Sequence, residues 1–161
     1  MSSSETRDAL LRAFVESDVS PDGKWWLNVP VGLSVGDEGV YAVVDAVCLT
    51  SREPELPEVY PEHTGVPYVV HRGDQQAGVT KVDTFRTLRR RDTFAEETAV
   101  VVAADPGASS VGAVGDLLAY RELLEADWDW ELEELVLVSD EDSDHVNHVC
   151  RELGVRAMRV A

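Results

Sequence analysis

A chain of 161 residues, 44% of them hydrophobic, is long enough to bury a core of its own, which excludes disorder as the default state. Thirty-one acidic residues face fourteen basic ones, leaving a formal net charge of −17. No window reaches the roughly 18 uninterrupted apolar residues of a membrane span, and the start, MSSSETRDALL, lacks the basic and then apolar regions of a secretory leader. A cytoplasmic protein without a membrane partner is expected.

In chain order, Leu10, Leu11, Phe14 and Val15 share one face at helical spacing, which predicts a helix over 5–17 with its charges opposite. Ser20-Pro21-Asp22-Gly23 is turn chemistry. Residues 25–33, WWLNVPVGL, read as a strand, and Pro30 places it at an edge or makes it irregular. Asp37-Glu38-Gly39 marks a tight turn before 40–50, VYAVVDAVCLT, whose β-branched density predicts a strand buried on both faces. Residues 51–67 hold four prolines and four glutamates and read as a loop. A short strand at 66–72 and a short helix or irregular arm at 82–91 follow. The second half is clearer: strand 98–104, helix 110–126, strand 134–139, helix 142–153 and strand 155–160. Gly154 stops the last helix, and Asp142 or Ser143 caps its start.

This order predicts one α/β domain over 1–161, a mixed sheet flanked by helices. Its early strands meander and its later ones cross over through helices. Cys48 and Cys150 each sit in an apolar segment and read as buried free thiols.

Several patterns invite chemistry. Residues 99–124, AVVVAADPGASSVGAVGDLLAYRELL, form a strand, a Gly/Ser loop and a helix. Gly107, Gly112 and Gly115 lack the spacing of a dinucleotide or phosphate loop, and Ser109 and Ser110 read most simply as helix caps. His145 and His148, three apart near Asp142, Asp144 and Cys150, could share a metal, but no second cluster completes the set. No Ser-His-Asp arrangement or G-x-S-x-G elbow is present. Arg89, Arg90 and Arg91, with Arg86 and Arg72 nearby, form the one basic concentration. They suit phosphate contact on a nucleic acid, or a solvated face paired with Asp92, Glu96 and Glu97.

The manner in which charge is carried is informative too. Only Lys24 and Lys81 are lysines; the other twelve basic residues are arginines, and carboxylates occupy every segment. This is similar to the proteins of salt-loving archaea. At molar salt the Debye length is about 3 Å, so the self-repulsion of such a surface is screened. Loss of structure in dilute buffer is therefore expected.

The strand Val43-Val44-Asp45-Ala46-Val47 and the helix Val111-Gly112-Ala113-Val114-Gly115-Asp116-Leu117-Leu118-Ala119-Tyr120 carry a further likeness. Together with the order of elements they resemble the PD-(D/E)XK nuclease superfamily, whose fold is restriction-endonuclease-like. The resemblance implies a divalent metal, Mg²⁺ or Mn²⁺, held by an aspartate at Asp45 and a Glu on the next core strand, with a lysine two residues on. Here those two positions fall on Ala103 and Asp105, and Asp116 stands where the helix often has glutamine. Alanine has no ligand atom and an aspartate reverses the lysine's charge, so the site reads as degenerate. A catalytic group moved to a neighbouring element would leave Asp45 and Asp105 as metal ligands, assisted by Asp116 or Arg121.

Three functions follow from these residues. The first is a catalytically impaired nuclease-like domain that binds nucleic acid or a partner protein. The second is a metal-dependent nuclease with a migrated group. The third is an oligomerising structural protein, which Trp25, Trp26, Trp128 and Trp130 would mark if exposed.

Overall fold

A computed structural model describes residues 3–35, 42–55, 81–90, 94–107 and 110–160. The expected turn at 37–39, strand at 66–72, most of the 51–67 loop, and Ser109, Arg72, Arg91, Asp92, His63 and His71 lie outside them. The elements are α1 (Ser3–Val15), β1 (Lys24–Val31), β2 (Ala42–Leu49), α2 (Lys81–Arg90), β3 (Thr98–Ala104), α3 (Val111–Trp128), β4 (Glu131–Ser139), α4 (Asp144–Leu153) and β5 (Val155–Arg159). The fold is mixed α/β.

Among the described residues the strands form one five-stranded sheet in the order β1-β2-β3-β4-β5. β1, β2 and β3 pair antiparallel, and β3, β4 and β5 pair parallel through α3 and α4. β1 lies at one margin, where Pro30, lacking an N–H, interrupts no second ladder. β4 begins three residues before the apolar run that predicts it. Its first half alternates exposed and half-buried residues at the sheet's end, and only its second half is buried throughout.

The sheet separates two apolar layers. On one face α1 packs Leu10, Leu11, Phe14 and Val15 against Leu27, Ala46, Val102 and Val138. On the other, Phe85 and Leu88 of α2, Leu117 and Leu124 of α3, and Val146 of α4 cover Val47, Val101 and Leu137. Cys48 belongs to the first layer and Cys150 to the second, so the sheet stands between the thiols and both are free.

All four tryptophans are buried, which removes the exposed-indole argument for an interface. Trp26 lies 4.9 Å from Phe94, 5.3 Å from Phe85 and 5.6 Å from both Trp128 and Trp130, ring centre to ring centre. Trp128 and Trp130 stack at 4.6 Å. Trp25, on the opposite face, meets Phe14 edge-on at 6.3 Å. Aromatic pairs in such offset and edge-on arrangements gain about 0.5–1.5 kcal/mol beyond area burial.

Two buried carboxylates tie loops to this frame. Asp127 accepts from the Gly32, Leu33 and Ser34 N–H groups and from the Ser34 hydroxyl, at 2.7–3.2 Å, fastening the end of β1 to the end of α3. Glu97 accepts from Ser51 and from Arg52, whose guanidinium lies over the Phe94 ring. Gly23 passes so close to β2 that a Cβ there would sit 2.4 Å from the Leu49 carbonyl oxygen. Among the described residues no helix is long and apolar enough to cross a membrane.

Candidate functional site

The β2 strand is regular except at Asp45. On the β1 side the register pairs Leu27 with Ala46 and Val29 with Val44, bracketing Asn28, whose φ of 52° is left-handed. Asparagine tolerates that region better than most residues, because its short amide bonds locally. On the β3 side the ladder runs from Leu49↔Ala99 to Ala46↔Val102 and ends there. Beyond it the Ala104 N–H donates to Asp45 Oδ2 at 2.8 Å, so the carboxylate continues the pairing that the backbone leaves off.

The other oxygen of Asp45 faces α1, where Arg7 Nε stands 3.7 Å from Oδ1. Burial pushes the Asp45 carboxyl above its ordinary value, and the charges of Asp8 and Asp105 push the same way. The Ala104 N–H and Arg7 oppose that rise without cancelling it.

Asp45 opens into a cleft of about 470 Å³ at the C-terminal end of β3, between α1 and α3. Arg7, Ala103, Asp105, Asp116 and Tyr120 line it as well. Asp105 begins the Gly/Ser loop. Its N–H donates to the Val138 carbonyl at 2.9 Å, and its Oδ2 accepts from the Ser110 N–H at 2.9 Å. Ser110 then caps α3, its hydroxyl accepting from the Ala113 N–H at 3.2 Å. Gly107 turns the loop with φ 80°, and its N–H donates to Asp140. The serine therefore caps a helix, as its place before the apolar run suggests. Asp116 and Tyr120 lie four apart on α3 and so present one flank to the cleft.

The structure thus brings Asp45, Asp105 and Asp116 to one cleft. It does not bring Arg121, which pairs with Glu122 at 3.5 Å and is absent from the lining. Ala103 occupies the cleft wall at the position the resemblance assigns to a glutamate. Arg89 is half-buried, and its Nε donates to the Asp127 carbonyl at 2.7 Å, docking α2 on the end of α3. Arg90 is exposed, and Arg91 lies outside the described residues. His145 and His148 are exposed on α4. Among the described residues no three histidine, cysteine or carboxylate side chains gather closely enough to share one ion.

Arg7, Tyr120 and Asn28 are additions that the sequence did not single out. Arg7 reads as one more charge on the solvated face of an amphipathic helix. Asn28 left one trace, a polar residue inside an apolar run beside Pro30.

No protein-family model matches the chain, and neither does any curated protein or solved structure.

Proposed function

We propose that this chain is a restriction-endonuclease-like domain that does not cleave phosphodiesters and serves as a binding module for a partner protein. The observation that carries the reading is the engagement of Asp45. One of its oxygens takes the Ala104 N–H and the other faces the Arg7 guanidinium. A protein cation stands where a divalent ion would need open carboxylate lone pairs.

The other residues fit Mg²⁺ or Mn²⁺ no better. Ala103 has no ligand atom, and Asp105 spends one oxygen on the Ser110 N–H. Mg²⁺ demands near-octahedral oxygen geometry and parts reluctantly with its waters, so scattered single carboxylates hold it weakly. The element order supports the resemblance: a helix, a meander carrying Asp45, the strand ending at Ala104, a helix, and a closing strand, helix and strand. The cleft also favours a protein over a nucleic acid, since three aspartates against one arginine repel phosphates.

The second reading, a metal-dependent nuclease with a migrated group, draws on the convergence of Asp45, Asp105 and Asp116 in one cleft. One experiment separates the two. DNA and RNA are incubated with the protein and Mg²⁺ or Mn²⁺ in concentrated salt, alongside Asp45→Ala. The binding-module reading expects no cleavage by either protein; cleavage by wild type that the substitution abolishes establishes the nuclease.

A further inference from the structure

The sheet has two margins, and they are finished differently. At β1 the outer edge is blunted: Lys24 is bridged to Glu55, the Trp25 N–H donates to the Glu55 carbonyl at 3.1 Å, and Pro30 has no N–H to offer. At β5 no strand among the described residues covers the outer edge. The Val160 N–H donates inward to Ser139 at 2.8 Å, so by alternation the main-chain groups of Ala157 and Arg159 face outward.

A groove of about 320 Å³ runs between this edge and α4. Arg151, Arg156 and Arg159 line it against a single acidic residue, Asp142. That is the reverse of the cleft at Asp45, and it stands out on a chain of net charge −17. Two of these arginines make surface ion pairs, Arg156 with Glu134 and Arg159 with Asp142, both at 3.2 Å. Pairs so exposed contribute little stability, so an incoming carboxylate exchanges for them at small cost.

We propose that the β5 edge takes up an extended, acidic segment of a partner protein as a sixth strand. Main-chain hydrogen bonds to Ala157 and Arg159 supply the pairing, and the three arginines select carboxylate side chains. A second copy of this chain fits the edge less well. Its own β5, VRAMR, brings arginines and no carboxylate to the pairing, so it offers nothing for the groove's arginines to select. The proposal concerns a surface apart from the cleft and stands whether or not the cleft is inert.

The test is fluorescence anisotropy with a dye-labelled, end-capped peptide of alternating glutamate and valine. The same peptide with lysine in place of glutamate and a dye-labelled oligothymidylate serve as comparison probes. Wild type is expected to bind the glutamate peptide saturably and the lysine peptide not at all. Ala157→Pro deletes one outward N–H without touching the β4 ladder, and proline is tolerated on an edge strand. It is expected to weaken the glutamate peptide roughly tenfold, the loss of one main-chain bond together with its neighbour's alignment. Arg151→Ser/Arg159→Ser, at exposed positions where folding is not at stake, is expected to weaken it by a similar factor. Equal binding of both peptides, or no loss in either variant, overturns the proposal. So does binding of the oligothymidylate in preference to the glutamate peptide, which assigns the arginines to nucleic acid instead.

Discussion

Arg7 of α1 stands 3.7 Å from Asp45 of β2 and joins the helix to the position where, beyond Ala46↔Val102, the β2–β3 ladder gives way to a side chain. The pair spans the layer between α1 and the sheet at the mouth of the cleft. Its charge balance therefore sets both the electrostatics of the cleft and part of the stability of the frame around it.

The Asp45 carboxyl is raised above its ordinary value of 3.8, first by burial. A carboxyl raised on folding favours the folded state in its neutral form. The penalty of ionising it is present at neutral pH and disappears as pH falls through the folded value. Asp45→Asn keeps an acceptor for the Ala104 N–H and carries no charge at any pH. The variant is expected to melt at or above wild type at pH 7, with the gap closing on acidification toward pH 4. Thermal melts followed by circular dichroism across that range check this; a variant melting well below wild type at neutral pH contradicts the burial argument.

Asp127 is 6% exposed and accepts four hydrogen bonds from Gly32, Leu33 and Ser34. Asp127→Ala strands those donors at the junction of β1 and α3, and is expected to cost about 3 kcal/mol. Asp127→Asn retains one acceptor oxygen and should fall between the two. Urea midpoints for the three proteins provide the ranking. An alanine variant indistinguishable from wild type would mean that water satisfies the loop.

The Cys48 thiol is pushed up to about 12, mainly by burial and further by the charges of Asp22 and Glu133. Burial likewise raises Cys150. Thiolate is the reactive form, so neither residue should react promptly with Ellman's reagent in the folded protein at pH 8. Both should titrate once denaturant is added. Prompt reaction of one thiol under native conditions would show that its layer opens.

Self-repulsion across a surface of net charge −17 grows as salt is removed. The thermal midpoint is expected to climb as sodium chloride is raised toward molar concentration, where the Debye length shrinks to about 3 Å. Far-ultraviolet circular dichroism during dialysis into salt-free buffer gives the decisive reading, because a full native signal there removes the case for salt dependence.

Much of the architecture is legible from residue pattern, because strands and helices with strong periodicity announce themselves locally. Val100, Val101 and Val102 mark β3, Ser110 and Ser143 mark helix starts, and Gly154 marks a helix end in left-handed conformation. Pro30 limited β1 to an edge or an irregular course, since a residue without an N–H cannot serve two ladders, and β1 lies at a margin of the sheet. Asp45 and Asp105 were also recognisable, as carboxylates at a strand centre and a strand end.

What the linear order left open is every contact between residues far apart along the chain. Nothing in the local pattern of α1 distinguishes Arg7 from its other charges; only the packing of α1 over the sheet sets it beside Asp45, 38 positions later. Composition reports the charge of Arg89 and not its direction; the docking of α2 sets its Nε against the Asp127 carbonyl. The tryptophans, read singly, suited a core better than a surface, but the pattern does not say which elements cover them. Burial of an indole is decided by what folds over it, and here Phe85 of α2, Phe94, Trp128 of α3 and Trp130 close around Trp26.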